Sequence, residues 1–238
     1  MAARTIKAIS NAEFSQMLRK SRPLGGWSDT LGMWNSEQYY CYSTLKAYYF
    51  NHQVVANSGG PDSSCLLFLL DRHIKEHPPE TLKGKLPKEL VSIAIDHDLQ
   101  TDSLNMANVA AKTAAALGIR HITEKLPWGQ EYYPPKPEPG ESLEGRARDM
   151  RYALFLEKMK VLNANALALG HHCDDQVETM LMRLGRSSGE TGLAGMRPRR
   201  RWGMGKIYDN GKLVHPEFNQ MNKWLVRPLL FFEKVFIC

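Results

Sequence analysis

The chain has 238 residues, of which 43% are hydrophobic and 24% are charged, and its formal net charge is +6. These values are ordinary for a soluble globular protein of one α/β domain, with or without an appendage. No stretch approaches the roughly 18 uninterrupted apolar residues of a membrane helix, so we expect no membrane partner. The four cysteines have neither CxxC nor metal-ligand spacing, which indicates a reducing compartment and no structural zinc.

The N-terminal segment is basic and allows two interpretations. Its first 22 residues carry only Glu13 against five cations, namely Arg4, Lys7, Arg19, Lys20 and Arg22. The segment is either a mitochondrial presequence or an amphipathic helix with an apolar inner face formed by Phe14, Met17 and Leu18. We therefore expect a cytoplasmic or mitochondrial-matrix location. Residues 1–50 are assigned to an extension of unclear structure, because residues 21–51 show no clear period.

Beyond residue 50, short apolar runs alternate with longer helical segments. The predicted strands are residues 53–56, 90–96, 121–126 and 166–170. The predicted helices are residues 62–76, 103–117 and 142–163. This alternation predicts an α/β fold with a doubly wound, mostly parallel sheet, in which the functional site lies at the carboxyl ends of the strands. Loops are predicted at residues 77–88 and 131–140, and further short strands at residues 212–214 and 224–226, all within one domain spanning residues 51–238.

The sequence NSGGPDSS, at residues 57–64, joins the first predicted strand to the helix that follows. Its glycines permit positive φ and leave backbone N–H groups unshielded at a helix N-terminus, which together form a phosphate cradle. The hydroxyls of Ser58 and Ser63 can donate to phosphate oxygens, whereas Asp62 would repel a bare phosphate and so indicates a bridging Mg²⁺. The alternative is a tight turn in which Asp62 or Ser63 caps a core helix. Asn57 stands where a small or apolar residue is expected, and the sequence alone does not explain it.

A second polar motif, GHHCDDQVET, follows the fourth predicted strand. Asp174 or Asp175 can cap a helix that runs to about residue 184. The apolar residues of this helix recur at i, i+3, i+4 and i+7 and predict a buried stripe formed by Val177, Met180, Leu181 and Leu184. Asp174 and Glu178 share one flank, where two acids suit a metal and a reacting amine. The alternative is a well-capped surface helix whose two preceding histidines are satisfied locally, and their spacing does not fit a zinc site.

Arginines concentrate after this helix. Between residues 183 and 206, only Glu190 stands against six of them, namely Arg183, Arg186, Arg197, Arg199, Arg200 and Arg201. The ordinary interpretation is a solvated loop, but the position beside a candidate site favours contact with RNA or phosphate. Glycines within residues 186–196 would allow this segment to close over the site.

Two of these motifs carry a resemblance to known families. The sequence SGGPDS resembles the pyrophosphate-binding loop of the N-type ATP pyrophosphatases, which adenylate a carbonyl oxygen and release pyrophosphate. Residues 168–196 resemble, almost continuously, the most distinctive segment of the tRNA(Ile)-lysidine synthetase family. Agreement is looser at IDHDLQ, where Asp98 replaces a usual glycine, and at RPLL from Arg227. The resemblance runs from about residue 54 to residue 230 and implies the fold of the adenine nucleotide α-hydrolase-like ATPases.

The resemblance implies ligation of free L-lysine to C2 of the wobble cytidine in a tRNA(Ile) with a CAU anticodon. The C2 carbonyl oxygen would attack the α-phosphate of ATP, with Mg²⁺ present, and lysine would then displace AMP. The implied catalytic residues are Asp62, Asp174, Asp175, Glu178 and Arg183, with Asp62 and Asp174 as ligands of Mg²⁺. The implied ATP-binding residues are Ser58, Gly59, Gly60, Pro61, Asp62, Ser63 and His171. The implied contacts with tRNA or phosphate are Arg148, Arg151, Arg197, Arg199, Arg200 and Arg227.

Two alternatives stay open at the level of sequence. A tRNA thiolase of the same superfamily would carry sulfur on cysteines or on an iron–sulfur cluster, but only Cys173 lies near the motifs. The other alternative is a fragment that binds nucleotide or RNA without turnover. Family members generally continue past RPLL, whereas this chain ends at Cys238, so we expect an incomplete catalytic domain. The sequence also leaves open whether the chain forms a homodimer.

Overall fold

The computed structural model describes most of the chain from residue 52 onward and one helix before it. The described residues are 8–23, 52–77, 89–99, 102–130, 133–136, 143–189, 193–203, 207–209, 212–214 and 222–234. The helices are α1 (Asn11–Ser21), α2 (Pro61–Glu76), α3 (Ser103–Leu117), α4 (Leu143–Val161) and α5 (Cys173–Gly185). The strands are β1 (His52–Ala56), β2 (Glu89–Asp96), β3 (Arg120–Lys125), β4 (Ala166–Ala168), β5 (Arg199–Arg201), β6 (Ile207–Asp209), β7 (Lys212–Val214) and β8 (Trp224–Val226). Most of residues 21–51 and of the two predicted loops lies outside these ranges.

A six-stranded sheet with the order β3-β2-β1-β4-β8-β5 forms the centre of the fold. All neighbouring strands are parallel except β5, which pairs antiparallel with β8 at the edge. The predicted doubly wound, mostly parallel α/β fold is therefore confirmed. Residues 199–201 of the arginine run form this edge strand, so the interpretation of the run as a loop is wrong for that part. Contact of the run with RNA stays a prediction. Strands β6 and β7 form a separate antiparallel hairpin.

Helices cover both faces of the sheet. On one face, α1 and α2 pack with Val55 of β1 and Ala166 of β4 in a single apolar cluster. On the other face, α4 packs through Phe155 and Met159 against Val54 of β1. Neighbouring residues of a strand point to opposite faces, which is why a nearly continuous apolar strand is buried on both sides. Strands β1 and β4 are neighbours in the sheet, so their carboxyl ends lie side by side. Helix α2 begins after β1 and helix α5 begins after β4, so the N-termini of both helices lie at this edge.

Helix α1 is part of this core. It begins with a capping box, in which Ser10 N–H donates to Glu13 Oε2 (2.9 Å) and Glu13 N–H donates to Ser10 Oγ (3.3 Å). Phe14 and Leu18 are each 1% exposed and belong to the cluster beneath α2. Of the two interpretations of the N-terminal segment, the packing favours the amphipathic helix. No helix in the described part of the chain combines the length and apolar character of a membrane span.

Helix α5 corrects one prediction. The apolar stripe expected to be buried is exposed: Val177 is 52%, Met180 41%, Leu181 63% and Leu184 59% accessible. The helix contains no buried residue. A different side of the helix contacts the protein, because the side chains of Gln176 and Arg183 donate hydrogen bonds to backbone carbonyls of Met196 and Gly195. The periodicity therefore identified an amphipathic helix correctly, but the apolar face points away from the sheet.

Candidate active site

A cavity of about 470 Å³ opens at the carboxyl ends of β1 and β4. Its walls include part of the glycine loop (residues 58–63), helix α4 and residues of α5. Three residues of the loop predicted to bind ATP are not among those that line it, namely Gly59, Gly60 and Pro61. Eight of the residues predicted from the two motifs and from α4 line it, namely Ser58, Asp62, Ser63, Arg148, Arg151, His171, Asp175 and Glu178. Thr179 and Met182 of α5 also line the cavity and were not predicted from the sequence. The helical spacing from Asp175 and Glu178 was the signal that would have found them.

The glycine loop has the backbone that its sequence predicted. Gly59 has φ +79°, and a Cβ at this position would lie 2.1 Å from the carbonyl oxygen of Met106, so only glycine fits. Helix α2 begins after Gly60 with Pro61 in its first turn and has no side-chain cap. The alternative in which Asp62 or Ser63 caps this helix is therefore wrong. A helix N-terminus without a side-chain cap is the arrangement that binds phosphate groups. Within the loop, the N–H groups of Ser58 and Gly59 already donate to Ser63 Oγ (3.2 Å) and Asn57 Oδ1 (3.1 Å).

The two motifs meet at Gly170 and His172. A Cβ on Gly170 would lie 3.1 Å from the backbone of Asp62, so the absence of a side chain allows this close approach. His172 is 4% exposed, and its Nε2 lies 3.6 Å from Oδ2 of Asp62 and 3.6 Å from Oδ2 of Asp175. One imidazole therefore joins the carboxylates of the two motifs. The sequence analysis had left this histidine without a role.

The two aspartates of α5 differ in position. His172 is the N-cap, and its backbone N–H donates to Oδ2 of Asp175 (2.8 Å). Asp175 is in the first turn of the helix, and its side chain accepts this hydrogen bond as the third helical residue of a capping box. Neither aspartate is itself the cap residue, contrary to prediction. Asp175 lines the cavity, whereas Asp174 is exposed and is not among the residues that line it. The structure therefore places the carboxylates of Asp62 and Asp175 against one imidazole, whereas Asp174 does not line the cavity. A metal site formed by Asp62 and Asp174 stays a prediction.

A cation that the sequence analysis missed lies at the same place. Lys234 Nζ is 3.4 Å from Oδ2 of Asp62, although the two residues are far apart in sequence. The other oxygen, Asp62 Oδ1, is buried and has no hydrogen-bond partner. Magnesium is usually held by one or two carboxylates together with substrate phosphates. A carboxylate with an unpaired oxygen beside a phosphate-binding loop fits such an ion, and the described residues offer no cluster of three or more ligating side chains that would form a protein-only site.

His171 faces the cavity as a neutral ring. Burial, with the nearby guanidinium groups of Arg227 and Arg148, lowers the pKa of His171 to about 4. Its Nδ1 is buried and has no hydrogen-bond partner. At neutral pH this side chain therefore offers one donor and one acceptor to a ligand and no charge.

The predicted arginines fall into three groups. Arg148 and Arg151 line the cavity. Arg183 and Arg227 support the loop that follows α5, because Arg183 Nη1 donates to the Gly195 carbonyl (2.8 Å) and Arg227 Nη1 to the Arg197 carbonyl (2.9 Å). The third group comes from the arginine run, where Arg197 and Arg200 are exposed and Arg199 donates to the backbone carbonyl of Arg22.

Arg227 is unusually enclosed for an arginine. It is 4% exposed, and burial lowers its pKa to about 10, so it remains charged at neutral pH. Consistent with this burial, Arg227 is not among the residues that line the cavity.

The end of the predicted closing segment (residues 186–196) is held by α5. Gln176 Nε2 donates to the Met196 carbonyl (2.9 Å), and Met196 N–H donates to Gln176 Oε1 (2.6 Å).

Comparison with known families agrees with this arrangement. The family model described as a PP-loop domain matches residues 36–237. The chain belongs to the PP-loop family. The glycine loop, with its open helix N-terminus, lies within the matched part.

Individual relatives show which enzymes the chain resembles in sequence. The chain is 40% identical over 163 residues to a tRNA(Ile)-lysidine synthase of Ruegeria pomeroyi, a match covering 68% of this chain and 33% of the relative. It is 35% identical over 187 residues to a tRNA(Ile)-lysidine synthase of Mesorhizobium japonicum, covering 76% of this chain and 34% of the relative. The matched part of the chain thus spans about one third of the length of these relatives.

The fold is also found among solved structures. The U34-tRNA thiolase NcsA from Methanococcus maripaludis, solved with its [4Fe-4S] cluster, matches with a TM-score of 0.59 and 15% identity. The match covers 99% of this chain and 70% of that chain. At this identity the likeness describes the fold alone.

Proposed function

We propose that the chain carries the catalytic site of a tRNA(Ile)-lysidine synthetase, a ligase that uses ATP to join L-lysine to C2 of a wobble cytidine. The observation that supports this most directly is the meeting of the two motifs. One cavity contains the glycine loop, the carboxylates of Asp62, Asp175 and Glu178, and two arginines from α4. The relatives named as lysidine synthases match 68% and 76% of the chain.

The first step is adenylation of the cytidine. The C2 carbonyl oxygen attacks the α-phosphate of ATP, a P–O bond forms, and the bond to pyrophosphate breaks. The backbone of the glycine loop and the N-terminus of α2 hold the departing β- and γ-phosphates. Ser58 is the hydroxyl on the exposed side of the loop, because Ser63 is only 6% exposed. The guanidinium groups of Arg148 and Arg151 stabilise the charge that develops on the phosphates.

Magnesium, when bound, would neutralise part of the phosphate charge, and Asp62 and Asp175 are the residues that would hold it. This assignment replaces Asp174 with Asp175, because Asp175 and Asp62 lie against the same His172 nitrogen. Lys234 is a further cation beside Asp62 that can meet the phosphates. The neutral His171 can donate to or accept from the nucleotide without adding charge.

The second step is displacement by lysine. The ε-ammonium group of lysine first loses a proton to become the neutral amine, which attacks C2. A C–N bond forms, the C–O bond to AMP breaks, and the attacking nitrogen loses a second proton. Glu178 lines the cavity and is exposed, so it can attract the ammonium group of lysine from solvent. Asp175 lies one helical turn before Glu178 and is the nearest candidate to accept the proton.

The tRNA would approach over the exposed arginines. Arg148, Arg197 and Arg200 are exposed on the cavity side and in the segment after α5. The buried Arg227 and the bonded Arg183 and Arg199 support this surface by holding backbone carbonyls. Contacts with the RNA backbone release counterions, so tRNA binding should weaken steeply as salt concentration rises.

One assay tests the proposal. The chain is incubated with ATP, Mg²⁺, labelled lysine and a tRNA(Ile) with a CAU anticodon, and AMP release and label in RNA are measured. We expect both, each dependent on tRNA, and we expect both to disappear in Asp62→Ala and Glu178→Ala. ATP binding without AMP release would instead support a non-catalytic fragment. Incorporation of sulfur from a donor, with no incorporation of lysine, would support the thiolase alternative.

A further inference from the structure

Asn57 is a buried amide directly before the glycine loop. It is 1% exposed, and its backbone N–H donates to the Ile93 carbonyl (2.9 Å), which continues the pairing of β1 with β2. Its side chain makes two contacts with the loop. Oδ1 accepts from Gly59 N–H (3.1 Å) and lies 3.2 Å from the Ser63 hydroxyl, whose single hydrogen is shared between Asn57 Oδ1 and the Gly60 carbonyl (3.1 Å).

The nitrogen end of the same amide is fixed to the scaffold. Asn57 Nδ2 donates to Ser92 Oγ of β2 (3.2 Å) and to the Ala110 carbonyl of α3 (3.3 Å). Ser92 is fully buried, and its hydroxyl lies 2.9 Å from His121 Nδ1. Both donors and both acceptor positions of the amide are therefore used.

The partners also fix which way the amide points. Gly59 N–H is a donor and needs the oxygen, whereas the Ala110 carbonyl is an acceptor and needs the nitrogen. A leucine of similar shape would leave Gly59 N–H and the Ser63 hydroxyl without this acceptor. An aspartate would place a second oxygen against the Ala110 carbonyl. Only an amide of this length satisfies the loop and the scaffold together.

We propose that Asn57 is a positioning residue that holds the glycine loop in its pyrophosphate-binding shape. It keeps Gly59 N–H and the Ser63 hydroxyl turned toward the protein, so that the rest of the loop and the N-terminus of α2 face the cavity. Asn57 also borders the cavity, but it is only 1% exposed and its amide is bonded within the protein, so it acts through the loop and not on the ligand. This inference rests on the proposed function, since it concerns the loop that would hold pyrophosphate.

The test compares Asn57→Leu with Ser92→Ala as a matched control. Ser92→Ala removes a partner on the scaffold side and leaves both loop contacts in place, and both changes remove buried hydrogen bonds. Binding of Mg-pyrophosphate and MgATP to the full chain is measured by calorimetry, well below the melting temperatures. We expect Asn57→Leu to weaken binding of both ligands by about tenfold or more. We expect Ser92→Ala to stay within about threefold of wild type, although its Tm also falls.

Steady-state kinetics give a second reading. Asn57→Leu should raise KM for ATP by about the same factor and change kcat much less, because the reacting groups are untouched. Equal weakening of binding by the two variants, or wild-type binding in Asn57→Leu, would show that Asn57 only fills the core. If the wild-type chain bound neither ligand, the proposed function itself would fail, and the inference with it.

A measurement on the wild-type chain covers the case in which Asn57→Leu does not fold. In the absence of ligand, the Gly59 amide hydrogen should exchange at least about tenfold more slowly than an unbonded loop amide, because Asn57 Oδ1 accepts it. Exchange of the Gly59 hydrogen at the unprotected rate would overturn the proposal.

Discussion

Helices α2 and α5 begin in similar places and are packed very differently. Each follows one of two adjacent parallel strands, and each opens with a polar motif that lines the same cavity. Helix α2 then buries six residues between the sheet and α1, whereas α5 buries none. Both motifs line the cavity although the two helices differ in burial, so a motif of this kind depends on where the helix begins and not on how the rest of the helix is packed. How much of the helix body is buried is decided separately.

The largest expected effect tests which acids of α5 belong to the cavity. Asp175→Asn should lower kcat for lysidine formation by at least about a hundredfold, because Asp175 lines the cavity and lies against the same imidazole as Asp62. The matched control is Asp174→Asn, one residue away and exposed, which should stay within about threefold of wild type. Initial rates of AMP release and label transfer at saturating lysine measure both variants.

The reverse order of the two variants would contradict the structure at this point. A large effect of Asp174→Asn with a small effect of Asp175→Asn would show that α5 is rotated in the active protein. Urea unfolding of both variants separates a loss of activity from a loss of folding.

A smaller effect tests the difference in burial. Leu66 on α2 is fully buried, and Leu66→Ala should lower the free energy of unfolding by about 2–5 kcal/mol. Leu181 on α5 is 63% exposed, and Leu181→Ala should change it by no more than about 0.5 kcal/mol. Urea denaturation with a common m-value measures both. A cost of several kcal/mol for Leu181→Ala at high protein concentration, absent on dilution, would show that another copy covers this face.

The smallest effect concerns His73, a buried titratable residue of α2 that has no buried counterpart in α5. His73 is 5% exposed and lies 3.1 Å from the hydroxyl of Ser15 on α1. Burial, with the neighbouring His77, lowers the pKa of His73 to about 4. The folded state therefore favours neutral His73, and this contribution is complete above about pH 6.5.

Acidification should remove that contribution. Between pH 6.5 and pH 4 the unfolded chain binds more protons at this position than the folded chain, so the free energy of unfolding falls as pH falls. His73→Gln should show a shallower decline over the same interval in urea titrations. An identical decline in both proteins would mean that His73 does not titrate on unfolding.

The sequence was sufficient for the order and type of most elements. Helix α3 was predicted at both of its ends, and strands β1 to β3 within one residue, because apolar runs and glycine boundaries reflect local backbone preferences. The loop around Gly59 was also predictable, since its conformation depends on the residues themselves. The burial of the α5 stripe was not, because periodicity reveals an apolar face but not the neighbour that covers it.

The site shows the same division. Residues such as Asp62, Asp175 and Glu178 belong to continuous motifs, and their chemistry was visible in the sequence. Lys234 and His172 were missed, because their importance comes from contacts with Asp62 that span long separations in the chain. Asn57 was noticed but not explained, since its partners on β2 and α3 are distant in sequence.

By itself, the sequence determined the alternation of strands and helices, the glycine loop and the two motifs that line the cavity. These depend on local geometry, which a few neighbouring residues fix. Only the tertiary structure decided that Asp175, and not Asp174, lines the cavity and shares the imidazole of His172 with Asp62, and that Asn57 joins the loop to the scaffold. Those outcomes depend on helix rotation and on contacts between distant segments, where a shift of one residue moves a side chain from the cavity to solvent.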